Sequence, residues 1–128
     1  MNWQGFSIDM EPVPWARPRI SRGKGFHNTA KTDAARRLIG IRLFQEWRGR
    51  GGPIKDAIHL RLVFYFRQPA KPTRPYPTRC DLDNLVKLVC DALTGLLYAD
   101  DRQIQSIEAS KFYASEGLCG RVEIQWRS

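Results

Sequence analysis

The sequence has no apolar run longer than a few residues, so no segment of it reads as a helix crossing a bilayer. Its first residues, Met1-Asn2-Trp3-Gln4, show neither the basic region nor the apolar stretch of a signal peptide. A cytoplasmic location without membrane contact is the expectation. Cysteine is scarce: Cys80, Cys90 and Cys119 form no CxxC, and His27 and His59 fall at no zinc-ligand spacing from them. Three free thiols at or near the core, in a reducing compartment, are the simplest account. Arg22-Gly23-Lys24-Gly25 lacks the GxxxxGK[ST] spacing, which excludes a phosphate-cradling P-loop and argues against a nucleotide cofactor. The most informative absence is of acid. No Asp or Glu lies between Glu11 and Asp33, where Arg17, Arg19, Arg22, Lys24 and Lys31 occur. None lies between Asp56 and Asp81 either, a stretch holding Arg61, Arg67, Lys71, Arg74 and Arg79.

What is present divides sharply. Residues 1–80 carry 16 basic and 5 acidic side chains, a net of +11, whereas residues 81–128 carry 5 basic and 8 acidic, a net of −3. Clustered arginine in a chain of net charge +8 is the footprint of a polyanion binder, against the plainer alternative of a small basic protein with no nucleic-acid role. With 128 residues and 42% apolar composition, the chain suits one packed domain spanning 1–128.

Periodicity gives an element order. Phe6, Ile8 and Met10 alternate as a short strand. Pro12, Pro14, Pro18, Gly23 and Gly25 make 11–28 a loop or irregular hairpin. Thr29 to Trp47 reads as a helix with a broad apolar face of Ala34, Ala35, Leu38, Ile39, Ile41, Leu43, Phe44 and Trp47. Ile58, Leu60, Leu62, Phe64 and Phe66 share one face of a strand over 57–66, with His59 and Arg61 on the other. Pro69, Pro72, Pro75 and Pro77 then stiffen a basic loop. Asp81 to Thr94 reads as a helix stopped by Gly95, and strands follow over 103–113 and through Val122, Ile124 and Trp126. The expected fold is α/β (α+β): a mixed sheet of about four strands with two main helices packed on it.

The acids of the second half sit at the starts of elements. Asp81-Leu82-Asp83-Asn84 opens a helix, and Asp100-Asp101 opens the next strand. Carboxylates gathered there are costly without a positive charge between them, and Mg²⁺, a hard cation taking oxygen ligands, is the natural occupant. On an ideal helix Asp81 and Asp83 point about 200° apart. Both face one ion only if Asp81 stands at or before the N-cap in extended conformation. The competing account makes Asp81 a cap and Asp83 a first-turn acid favoured by the helix dipole. Lys87 and Asp91 follow Asp83 at intervals of four. They form either a surface ladder of ion pairs or a lysine aimed at the scissile phosphate with Asp91 orienting it. Neighbours in a strand alternate faces, so Asp101 is favoured over Asp100 as ligand, with the choice reversed if a turn intervenes. Lys71, Arg74 and Arg79 lead straight to Asp81, and Arg17, Arg19, Arg22 and Lys24 form a second basic arm. Bases that attract a phosphate backbone around acids that hold a metal are what a metal-dependent nuclease requires. Tyr76 and Phe26 are able to stack on unpaired bases, although packing within their own loops is the simpler role.

The block Asp81-Leu82-Asp83-Asn84-Leu85-Val86-Lys87, then Asp91-Ala92-Leu93-Thr94-Gly95, then Tyr98-Ala99-Asp100-Asp101-Arg102-Gln103-Ile104 and Lys111, resembles the RusA family of Holliday junction resolvases. Arg17-Pro18-Arg19 with its basic glycine-rich turn is similar to that family's N-terminal segment. The resemblance implies a dimeric endonuclease of bacterial or phage-infected cells that serves DNA recombination and repair. It would cut four-way DNA junctions by two symmetric nicks with Mg²⁺ or Mn²⁺. It carries the essential carboxylates onto Asp81, Asp83 and Asp101 and the essential lysine onto Lys87. The junction-binding cations are then expected among Arg17, Arg19, Arg22, Lys24, Lys71, Arg74, Arg79 and Lys111. Cys80 and the proline-dense loop depart from the family pattern. Two symmetric nicks need two sites about a twofold axis, which argues for a homodimer, with Trp3, Trp15 and Trp126 as candidate interface residues or core cover. The rival expectations are a general nuclease of flaps and forks, and a basic DNA-binding module whose acids are merely caps and ion pairs.

Overall fold

A computed structural model describes residues 2–16, 19–21, 25–27, 30–47 and 51–128, leaving aside the side chains of 19–21 and 25–27. The chain order is β1 (Gln4–Ile8), β2 (Arg19–Ser21), β3 (Gly25–His27), α1 (Ala30–Glu46), β4 (Ile58–Phe66), α2 (Leu82–Leu93), a single 3-10 turn (Asp101–Gln103), β5 (Ile104–Tyr113) and β6 (Arg121–Arg127). Four strands form a mixed sheet in the order β1-β6-β4-β5, and β2 pairs with β3 as a separate hairpin. β6 lies antiparallel between β1 and β4, whereas β4 and β5 are parallel. A parallel pair cannot be closed by a tight turn and needs a crossover, which α2 supplies. The mixed four-stranded sheet with two helices is the α+β architecture expected from the sequence.

Alternation decides which face of the sheet is buried. Ile58, Leu60, Leu62, Phe64 and Phe66 of β4 are buried with Phe6 and Ile8 of β1 and Val122, Ile124 and Trp126 of β6. Leu85, Leu88, Val89, Ala92 and Leu93 of α2 complete that core, joined by Ala35, Ile39 and Leu43 of α1. The opposite face of the sheet carries cross-strand polar and aromatic pairs. His59 Nδ1 lies 2.6 Å from Ser106 Oγ, Arg61 bonds Glu108 at 3.1 Å, and Tyr65 meets Phe112 at 5.9 Å between centroids.

Several expectations need correction. The apolar face of α1 is narrower than its composition suggests: Leu38, Ile41 and Phe44 are exposed, Phe44 at 68%. The buried stripe is Thr32, Ala35, Ile39 and Leu43, spaced at 3 or 4 residues and turned toward α2 and β1. Trp126 is core, and Trp3 is held by Arg61 and Arg127, whose guanidinium carbons lie 4.0 and 4.9 Å from its ring centre. Trp126 thus takes the core role of its two alternatives, and Trp3 is a partly buried ring stacked by two arginines. Cys119 is exposed, unlike the partly buried Cys80 and Cys90.

The proline-rich loop is anchored at both ends by one side chain. Glu11 accepts the Arg67 backbone N–H at 3.2 Å through both oxygens and the Arg79 guanidinium at 3.3 Å. Arg79 also lies over the Phe66 ring at 5.6 Å. Gly120 makes room for this clamp, because a Cβ there would stand 2.7 Å from the Tyr65 carbonyl oxygen and collide with Glu11. Gly120→Ala is expected to cost about 1–3 kcal/mol of stability, read by denaturant unfolding, and to speed proteolysis within 67–80.

Candidate nuclease site

Asp81 is the N-cap of α2, with φ −74° and ψ 138°. That is the extended conformation required for Asp81 and Asp83 to share a side of the helix start. Its carboxylate makes no capping hydrogen bond. The cap account of this side chain therefore lacks its defining contact. Asp83 accepts only a local bond, from the Asn84 N–H at 3.0 Å. Both carboxylates are exposed.

The start of α2 is tied down from two sides. The Lys111 ammonium of β5 donates to the Cys80 carbonyl at 2.6 Å, one residue before Asp81. The Trp15 N–H donates to the Asn84 carbonyl at 2.9 Å, fixing the N-terminal segment against the first turn. The Trp15 ring then lies beneath Lys87, whose Nζ is 4.8 Å from its centroid. Among the described residues Lys87 has no ion pair with Asp83 or Asp91, so the surface-ladder account fails. A cation over an indole face keeps its charge while its direction is restricted. Trp15 thus supports Lys87, a role that periodicity has no means to reveal.

The second acidic segment is not the beginning of a strand. Asp101–Gln103 is a 3-10 turn capped by Asp100, whose Oδ1 accepts the Arg102 N–H at 2.9 Å and whose Oδ2 accepts the Arg102 guanidinium at 3.1 Å. These bonds, the backbone one foremost, and the neighbouring Asp101 carboxyl hold the Asp100 pKa down to about 2. Asp100 is committed to its turn, and Asp101 lines a cleft of about 420 Å³ with Lys87, Cys90, Asp91 and the start of β5. The strand alternation expected from Asp101 onward is replaced by this turn and by an irregularity in the β4–β5 register, where Ile58 pairs Ile104 but His59 pairs Ser106.

Gln103 is the residue that locks the turn. Its Oε1 accepts from the N–H groups of Ala99 and Asp100 at 2.9 and 2.8 Å, and its Nε2 donates to the carbonyls of Ile54 and Asp56 at 2.8 and 3.0 Å. Cys90 beside the cleft is not a competing thiolate, since burial pushes its thiol pKa up. Burial likewise raises the Tyr98 phenol, which donates to the Cys90 carbonyl at 3.0 Å.

The acids expected to share one ion are not gathered within this chain. Asp101 lines one cleft with Lys87 and Asp91, but among the described residues no three His, Cys, Asp or Glu side chains converge as a metal site. The carboxylates suit a hard divalent cation in kind, and the single chain does not fit it in arrangement. Of the expected DNA-binding cations, Lys71, Arg74 and Arg79 are exposed on the proline-rich loop, and Lys111 is turned inward to Cys80. Arg17, Arg22 and Lys24 lie outside the described residues, as do the side chains of Arg19 and Phe26. Tyr76 is exposed at 52%.

A mixed α+β sheet that sets exposed carboxylates and a lysine beside a basic loop defines a candidate phosphodiester-processing domain. The family model for endodeoxyribonuclease RusA matches residues 9–127, and the chain belongs to that family. The "Uncharacterized protein YqaN" of Bacillus subtilis (strain 168) is 48% identical over 50 residues, covering 39% of this chain and 33% of that protein. The matched part thus spans about a third of the length of that curated relative. No described helix is long and apolar enough to cross a membrane.

Two outcomes are expected here. Gln103→Ala, leaving four backbone groups without their partner, should lower unfolding free energy by about 2–4 kcal/mol. The depressed Asp100 pKa makes its cap fully stabilising above the ordinary value of 3.8 and progressively lost as pH falls through about 2. Denaturation midpoints of wild type and Asp100→Ala should therefore differ at neutral pH and converge across that acid window.

Proposed function

We propose that this protein is a structure-specific DNA endonuclease that resolves four-way (Holliday) junctions by paired symmetric nicks, acting as a homodimer with Mg²⁺, or Mn²⁺ in its place. The observation that carries this reading is the family match over residues 9–127. The uncapped Asp81 carboxylate and the cleft shared by Lys87 and Asp101 support it. Asp81, Asp83 and Asp101 are the carboxylates assigned to the cation. When bound, such an ion polarises a phosphodiester and lowers the pKa of a water. Lys87, supported by Trp15, presents a fixed positive charge to a phosphate on which negative charge accumulates. Lys71, Arg74 and Arg79 receive the sugar-phosphate backbone, and the Glu11 clamp keeps that loop beside the start of α2. The dimer follows from the reaction: two opposed strands must be cut, and this chain carries one set of these residues.

The test compares a labelled synthetic four-way junction with matched linear duplex and fork, each with Mg²⁺ and with EDTA. Paired nicks confined to the junction and lost in EDTA are the expected result. Asp83→Asn should slow cutting by roughly 10²-fold or more while junction binding persists or tightens, and wild-type cutting by this variant would sink the site assignment. Cutting of all three substrates indicates a general branched-DNA nuclease. Binding without metal-dependent cutting indicates a binding module. Lys71→Ala and Arg74→Ala should each weaken binding on all three substrates and reduce the slope of log affinity against log salt by about one.

A further inference from the structure

Three acids neighbour Lys87, and among the described residues it pairs with none of them. Asp83 and Asp91 lie four residues before and after it on α2, the spacing at which helix neighbours form ion pairs. Asp101 lines the same cleft from the 3-10 turn. An acid four residues ahead of a lysine is the better oriented of the two arrangements, so helix geometry alone favours capture of the Lys87 ammonium by Asp83. Instead the ammonium lies 4.8 Å from the centre of the Trp15 ring, within the range of a cation–π contact. Tryptophan offers the strongest such face, and the contact matches or exceeds what an exposed pair at that spacing contributes. The indole is held in place by the chain on both sides. Its own backbone N–H donates to the Asn84 carbonyl at 2.9 Å, and the side chain packs partly buried against the core. Four residues earlier, Glu11 accepts from the Arg67 N–H and the Arg79 guanidinium. Between these anchors Pro12 and Pro14 each fix a backbone torsion. Residues 11–15 are thus a short strap from the end of β4 to the first turn of α2, and its last residue fills the place beside Lys87.

We propose that Trp15 is a positioning residue for the cutting reaction: its indole competes with Asp83, Asp91 and Asp101 for the Lys87 ammonium and keeps that charge unpaired for a phosphate. The inference rests on the nuclease reading and on the role that reading gives Lys87. A lysine paired with Asp83 would cancel its own charge and that of one site carboxylate together. A neutral π face restrains the ammonium and takes no formal charge from it. Lys87 therefore meets an incoming phosphate with no carboxylate to displace first, and its charge is already in place when negative charge accumulates there. The exposed position of Lys87 on α2 leaves the ammonium open to such a ligand while the ring lies beneath it. If Trp15 served only as packing, any side chain of its shape would do equally well. If it competes for the ammonium, the electron density of the ring decides the rate.

Changes to the ring that leave the backbone bond to Asn84 in place test this. Single-turnover cutting of the synthetic four-way junction is measured at saturating protein, together with junction affinity, for wild type, Trp15→Phe and Trp15→Leu. Trp15→Leu should slow the cutting step about tenfold with unchanged affinity, and Trp15→Phe should fall between it and wild type. Tryptophans with successively more ring fluorines, introduced at position 15 alone, keep the shape of the indole while draining its π face. The cutting rate should fall stepwise along that series, the most fluorinated ring approaching Trp15→Leu. Equal rates along the series indicate packing alone and overturn the proposal. Melting temperatures are read for every protein, and the fluorinated rings, which keep the packing, carry the conclusion if Trp15→Leu unfolds. A crystal structure of the most fluorinated protein reads the competition without any cutting. In it the Lys87 Nζ should stand within about 4 Å of a carboxylate oxygen of Asp83, Asp91 or Asp101. An ammonium that stays unpaired there overturns the proposal. A wild-type protein that cuts none of the substrates fails the nuclease reading alone, and the partner of Lys87 in that structure still decides whether Trp15 competes for it.

Discussion

Everything about this molecule's chemistry follows from the decision to run β5 parallel to β4. A parallel neighbour cannot be reached by a hairpin, so the chain must travel back along the sheet, and α2 makes that return. The helix is apolar on the side that meets the strands, through Leu85, Leu88, Val89, Ala92 and Leu93, and polar where Asp83, Lys87 and Asp91 look outward. One crossover therefore creates a polar stripe along the open border of the sheet and puts an acidic turn at each end of it. Moving either end without the other would require breaking the ladder between β4 and β5.

The same border is kept rigid mostly by contacts between neutral groups, with the Lys111 ammonium the exception. Gln103 joins the 54–56 segment to the turn that carries Asp101, and Tyr98 and Thr94 both donate to the Cys90 carbonyl at the end of the helix. Gly95, with φ 83°, lets the chain leave the helix sharply enough for that closure. At the other end, Trp15 and Lys111 fix the first turn of α2. Exposed carboxylates repel one another and contribute little to folding by themselves. They are held in place mainly by neutral neighbours such as Gln103, Tyr98 and Trp15, with Lys111 and the Asp100 cap the charged exceptions.

The strands and helices were legible in the sequence because they obey simple periods. The alternation from Ile58 to Phe66 and the three-and-four spacing from Leu85 to Leu93 both report burial on one face, and both elements form within a residue or two of the expected bounds. The face of α1 was less legible, because an apolar side chain is a permissive sign of burial and Leu38, Ile41 and Phe44 remain outside. The extended Asp81 could be reasoned from the helix repeat. The Asp100 turn could not be separated from a strand start, since Asp-Asp followed by alternation suits either; the glutamine three residues after Asp100 was the unread sign of a capping box. Trp15 beneath Lys87 and Glu11 across the proline-rich loop join residues more than fifty positions apart, and local pattern carries no trace of such partners.

The Glu11 clamp has a consequence for how freely this loop can be re-engineered. A loop whose two ends are fastened to the same carboxylate behaves as a separable cassette: the exposed residues Ala70 to Tyr76 are expected to tolerate changes in sequence or length without altering where the loop leaves β4 or where it delivers Asp81. Loop-closure entropy grows only slowly with length, so a longer cassette costs little in folding. Most of this stretch meets solvent, Pro77 being the buried exception, so substitutions along it leave the packing of the sheet untouched. The fold thus lets the loop be altered separately from the elements it joins, and a single glutamate marks the boundary between them.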